Sequence, residues 1–115
     1  MFIDDKARLH HMLNAAREAV EFVENKSRSE IDTNKMLTLA ICRCFEIIGE
    51  AASRITKERQ RELTQIPWST VISMRNRIIH DYFNIDLDIL WDTTTQNLPQ
   101  LIAELETIIA ADCEE

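Results

Sequence analysis

Glycine and proline are nearly missing from this chain: glycine occurs once, at Gly49, and proline twice, at Pro67 and Pro99. Tight hairpins, phosphate-cradling loops and dinucleotide-binding turns all depend on glycine at positive φ. One glycine excludes a Walker loop and a Rossmann fingerprint, and it argues against an all-β sandwich. No apolar run approaches the roughly 18 residues of a membrane-spanning helix. The start, MFIDDKARLHH, is charged from Asp4 onward and lacks the apolar stretch of a signal peptide. Cysteine is scarce and odd in number: Cys42, Cys44 and Cys113. The first two stand about 200° apart on a helix and face away from each other. Free thiols in a reducing cytoplasm are expected, with no metal site.

What is present is helical. The 115 residues, 45% hydrophobic and 29% charged, suit one globular domain spanning 1–115. Residues 4–25 carry Leu9, Leu13, Ala16, Val20 and Val23 at steps of three and four, with Asp4 and Asp5 in the first turn. Residues 25–32 are polar and read as a loop. A second long helix begins near Thr33 or Asn34 and runs to about Ile55, with Leu37, Ala40, Ile41, Cys44, Ile47, Ile48 and Ala51 along its stripe. Gly49, Ala51, Ala52 and Ser53 make a close helix crossing there. Residues 56–62 form a short helix or turn. Pro67 opens a helix from Trp68 to His80 or Tyr82. Asp86 or Asp88 caps a last helix to about Ala111, and Pro99 imposes a kink or a break just before it. The expectation is an all-α, antiparallel bundle of four to five helices with a kinked last helix.

Charge is unevenly spread. The net charge is −7, yet residues 54–80 hold six cationic and two anionic side chains, whereas residues 81–115 hold nine anionic and none cationic. The basic stretch ends in the densest functional cluster of the chain, Met74-Arg75-Asn76-Arg77-Ile78-Ile79-His80-Asp81-Tyr82. RNA cleavage without a metal needs a group that deprotonates or orients a 2′-hydroxyl, which histidine does with its pKa of about 6.5. It also needs a group that stabilises charge on phosphorus, which the arginine fork does. On a straight helix Arg75 and His80 are about 140° apart. They meet at one phosphate only if the helix ends or bends near His80, or if two copies of the helix face each other across a twofold axis.

Blander readings stand beside this one. His80 could simply interact with a helix C-terminus, and Arg75 and Arg77 could pair with Asp81 or Asp86. Tyr82 could be a packed ring. Adjacent His10 and His11 point in different directions and make a poor metal pair. Trp68 and Trp91 suit core or interface anchors. Glu46 and Glu50 share a helix face and suit either solvent or pairing with the basic stretch.

The order Arg75-Asn76-x3-His80-x-Tyr82 resembles the R-x4-H-x-Y signature of HepT-like toxins in the HEPN superfamily. The similarity extends to FEIIGEAASRIT (residues 45–56), IPWSTVISMRNRIIHDYFNID (66–86) and LWDTTTQNLPQL (90–101). The resemblance implies a helical bundle that dimerises and a metal-independent endoribonuclease with no cofactor. Arg75 and His80 of both protomers would be catalytic, with Asn76 and Arg77 supporting RNA binding. It implies the toxin part of a type VII-like toxin–antitoxin system, neutralised by a minimal nucleotidyltransferase that adenylylates Tyr82. The alternative is a non-catalytic HEPN module that holds a nucleotide or RNA for such a nucleotidyltransferase.

Overall fold

A computed structural model describes residues 4–81 and 84–113. Helix α1 (Asp5–Val23) is started by Asp4, whose Oδ1 accepts the Ala7 N–H at 2.8 Å. It ends where Asn25 takes φ 61°, a left-handed conformation that asparagine tolerates. The next stretch is not all loop: α2 (Glu30–Thr33) forms a single turn that buries Ile31. Asn34 then caps α3 (Lys35–Arg54) by accepting the Leu37 N–H at 3.1 Å. Thr56 caps the short α4 (Lys57–Glu62), and α5 (Trp68–Ile78) follows Pro67.

Helix α5 stops at Ile78, short of both His80 and Tyr82, because the chain closes on itself. The Asp86 N–H reaches the Ile78 carbonyl at 2.7 Å, the His80 N–H reaches the Asn84 carbonyl at 2.9 Å, and Ile79 and Ile85 form an antiparallel bridge. Asp86 then caps α6 (Leu87–Asp92) through the Ile89 N–H at 3.0 Å. The last helix continues through a π-helical segment (Thr93–Asn97) into α7 (Leu98–Cys113). Pro99 has no N–H to give the Thr95 carbonyl. The widened turn just before it, in which the Leu98 N–H bonds the Thr93 carbonyl, is the break expected from that proline.

The long helices are antiparallel, and polar contacts at their ends show it. Asp5 at the start of α1 accepts from the Thr56 N–H (3.0 Å) and hydroxyl (2.7 Å) just beyond the end of α3. Arg28, after α1, binds Asp88 at the start of α6 (2.7 Å), and Arg59, beside the far end, binds Asp112 late in α7 (2.6 Å). Between these ends lie Leu9, Met12 and Ala16 of α1, Ile41, Phe45 and Ile48 of α3, and Leu98 and Leu105 of α7, all essentially buried. Each large apolar side chain among them contributes about 1.5–3 kcal/mol of burial. This is the all-α bundle the periodicity predicts. Helix α5 packs on α3 outside this centre, inserting Val71, Met74 and Ile78.

The inter-helix crossing is close at Gly49. A Cβ there would stand 3.3 Å from the Ile72 carbonyl oxygen of α5. The end of α3 is sealed by Gln60, whose buried amide Nε2 donates to the Ala52 (3.1 Å) and Ile55 (3.2 Å) carbonyls. Trp68 and Trp91 are half-buried and pack against the core, and Trp68 Nε1 donates to the Leu63 carbonyl at 3.0 Å. No helix among the described residues is long and apolar enough to cross a membrane.

Candidate functional site

The basic stretch divides in three dimensions. Arg54 is held by Glu50 at 2.6 Å, and Arg59 by Glu62 at 2.9 Å and Asp112 at 2.6 Å. Arg75 and Arg77 form no ion pair among the described residues. Asp86 spends its carboxylate on the α6 cap. Asp81 accepts the Asn84 N–H at 3.0 Å and its side-chain amide at 2.8 Å, which holds the turn after His80. The acidic residues that flank the cluster in sequence therefore build its loop.

Arg75 is half-buried and lines a groove of about 290 Å³ between α3 and α5, together with Glu46, Gly49, Glu50, Ser53 and Ile72. Gly49 brings no side chain into the groove. Arg75 Nη1 donates to Asn76 Oδ1 at 3.3 Å, so the neighbouring amide steadies the guanidinium. Arg77 lies about 200° around α5 from Arg75. It lines a different cleft of about 180 Å³, against Thr70, Met74, Gln100 and Glu104. The two arginines thus face separate surfaces.

His80 is exposed and lies two residues beyond the end of α5. Its position is set by the Ile79–Ile85 bridge and not by helical repeat, so the 140° separation of a continuous helix does not apply to it. Tyr82 lies outside the described residues. Arg75, Asn76 and His80 thus occupy the C-terminal end of α5 and the turn that follows it.

Sequence reasoning missed the groove's other wall. Glu46 and Glu50 had only their spacing of four to mark them. Glu50 pairs with Arg54 as one of the two readings supposed, whereas among the described residues Glu46 pairs only with Arg43, at 3.9 Å. Behind this wall the Cys42 thiol is pushed up to about 11 by burial, with the Glu46 carboxylate adding to the rise and the Arg75 guanidinium opposing it. Glu46 and Arg75 are thus both electrostatic neighbours of one buried side chain. Cys42, Cys44 and Cys113 are free thiols, the first two buried and the last exposed. Among the described residues no group of three or more His, Cys, Asp or Glu side chains is placed to hold a metal ion. His10 is half-buried. His11 is exposed and lines a smaller cavity of about 140 Å³ that shares Glu46 and Glu50 with the Arg75 groove.

The fold and site define a small all-α bundle with an arginine that has no ion pair among the described residues, set in a groove, and a histidine on the turn beyond the same helix. Comparison with known proteins narrows the class. The family profile described as "Ribonuclease HepT-like" matches residues 12–108. A Methanocaldococcus jannaschii protein named "Putative RNase" is 34% identical over 105 residues, covering 91% of this chain and 96% of that protein. A Caldanaerobacter subterraneus subsp. tengcongensis protein with the same designation is 32% identical over 101 residues, covering 88% and 90%. A Thermococcus cleftensis protein named "Probable ribonuclease HepT" is 34% identical over 95 residues, covering 79% and 86%. No solved structure gives a significant match. The chain belongs to the HepT-like ribonuclease family.

Proposed function

We propose that this protein is an endoribonuclease that cleaves RNA without a metal, at a site formed by Arg75 and His80 where two copies of the chain meet. The observation that carries the reading is that Arg75, alone among the groove-lining residues in offering a cation, has no carboxylate partner among the described residues of a chain of net charge −7. A guanidinium left unneutralised in an acidic protein is a site for an anion. Family membership and the names of the relatives support reading that anion as an RNA phosphate.

The chemistry follows from the two side chains. Neutral His80 takes the proton of a 2′-hydroxyl, and the freed oxygen attacks the adjacent phosphorus. The Arg75 fork holds the non-bridging oxygens as charge gathers on them. The bond from phosphorus to the 5′-oxygen breaks, and an imidazolium protonates the departing oxygen. A second imidazole, His80 of the second copy, fills that role in a homodimer. The products are a 2′,3′-cyclic phosphate and a 5′-hydroxyl. Asn76 steadies Arg75, and Arg77 contacts RNA farther along the chain.

In this reading the protein is a toxin, and its antitoxin is a nucleotidyltransferase that transfers AMP to Tyr82. A nucleotide placed two residues from His80 would bring a phosphate to the anion site and repel substrate. The test is incubation of the purified protein with RNA in EDTA. Cleavage by wild type that is lost in both Arg75→Ala and His80→Ala supports the reading. RNA binding without cleavage by wild type replaces it with the non-catalytic module. Mass spectrometry after co-expression with the proposed nucleotidyltransferase antitoxin should show whole AMP increments on Tyr82, and an unchanged mass removes the adenylylation step.

A further inference from the structure

Two opposite charges line the α3–α5 groove without meeting. Glu46 has no hydrogen-bond partner among the described residues; it forms a loose ion pair with Arg43 at 3.9 Å, beyond hydrogen-bonding range, and lines a second cavity with Arg8 and His11. Among the described residues, the Arg75 side chain bonds only the Asn76 amide. Glu50, by contrast, is engaged by Arg54. The same groove of about 290 Å³ is lined by the buried Gly49, which adds no side chain, and by the half-buried Ile72 side chain. That volume is at the small end of ligand clefts, roughly 300 Å³ upward. A ligand that satisfies both ends carries an anion at one end and a donor edge at the other.

A nucleotide has that form, and the donor edge selects the base. An ionised carboxylate only accepts hydrogen bonds. Guanine alone among the four RNA bases offers two adjacent donors on its Watson–Crick edge, N1–H and the N2 amino group, and unpaired RNA leaves that edge free. Adenine and cytosine offer one amino group beside an acceptor that would face the carboxylate, and uracil offers one N–H between two acceptors. We infer that Glu46 reads an unpaired guanine in this groove while Arg75 holds its phosphate. The proposal deepens the ribonuclease reading and rests on it for the RNA. Glu46 here is a specificity-determining residue.

The test separates binding from cutting. Binding of GMP, IMP, AMP, CMP and UMP to the wild-type protein is measured by calorimetry. In parallel, short unpaired RNAs with a single G at varied positions are mapped for cleavage. GMP should bind about tenfold tighter than AMP, CMP or UMP, the scale of one good bidentate contact. IMP, which keeps N1–H but lacks the amino group, should fall between. Glu46→Gln, whose exposed site leaves the melting temperature unchanged, should bring all five within about twofold. Arg75→Ala should weaken all five alike and preserve the order. Cleavage should track the G and lose that register in Glu46→Gln. Equal affinity for the nucleotides, or a GMP preference that survives Glu46→Gln, overturns the inference. If GMP is discriminated through Glu46 and no RNA is cut, the base site stands and the ribonuclease reading falls. If RNA is cut with no dependence on G, the ribonuclease reading stands and the base site falls.

Discussion

Gly49→Ala puts the crossing of α3 and α5 to a quantitative test. In the interior of a 20-residue helix this change brings about 1 kcal/mol of helix propensity. Against that, the new methyl stands 3.3 Å from the Ile72 carbonyl oxygen. This obstacle is backbone inside a helix and cannot rotate aside, so the whole of α5 must move by a few tenths of an ångström. Forcing an extra methyl into such a contact costs about 1–3 kcal/mol. Taking about 2 kcal/mol, the net is a loss of roughly 1 kcal/mol. For a chain this short that lowers the melting temperature by about 4 °C.

The functional cost should exceed the stability cost. Arg75 stands three residues past Ile72 on the same face of α5, and both line the groove. A displacement of this size should lower RNA cleavage about three- to tenfold, given that about 1 Å of misplacement can cost 10²-fold. Differential scanning calorimetry and an initial-rate cleavage assay at one temperature suffice. A melting point raised by about 4 °C with cleavage unchanged would show the propensity gain realised in full, and the argument from close approach would be refuted.

Other outcomes follow from the same geometry. In dimers that pair a wild-type subunit with a His80→Ala subunit, the site keeps one imidazole and lacks either the base or the acid, so cleavage should fall far below half of the wild-type rate; half the wild-type rate or more would show that the second copy's imidazole is not needed. Gln60→Leu removes two hydrogen bonds to the α3 terminus and should cost about 2 kcal/mol, read in a urea melt, whereas a loss under about 0.5 kcal/mol would show those carbonyls satisfied otherwise. Burial raises the Cys42 and Cys44 thiols to about 11 from 9.0, so the stability they supply is whole below pH 9 and is lost as pH rises toward 11. Cys42→Val should flatten that decline, and a disulfide reagent should find one fast thiol, Cys113, in the native protein; two or three fast thiols would contradict the burial of Cys42 and Cys44.

The parts of the fold that were legible are those governed by local rules. Asp4, Asn34 and Asp86 each place a side-chain oxygen where a helix must begin, and the three starts fall where those residues predict. The lone glycine marks a close crossing, where an added Cβ would press on the Ile72 carbonyl oxygen. Pro99 announces the irregular turn before it. What escaped depends on contacts distant in sequence or on very short segments. Helix α2 is four residues long with one buried side chain, too short to show a period. Gln60 looks like any polar surface residue until the end of α3 folds over it.

The end of α5 shows how the same limit bears on function. Nothing in Ile78, Ile79 or His80 halts a helix by propensity. What stops it is Asp86, which both caps the next helix with its side chain and takes the Ile78 carbonyl with its backbone N–H at 2.7 Å. That carbonyl is held by the returning chain, and Ile79 turns to bridge Ile85. His80 therefore leaves the helix that carries Arg75. The separation that forbids the two from sharing a face on a continuous helix is removed by a residue six positions farther on. Losing the Asp86 cap by Asp86→Ala should thus do more than cost α6 about 1 kcal/mol. It should loosen the turn that places His80, lowering cleavage while RNA binding through Arg75 persists. Cleavage retained at full rate in a protein destabilised by that amount would show that the turn after α5 does not position the histidine.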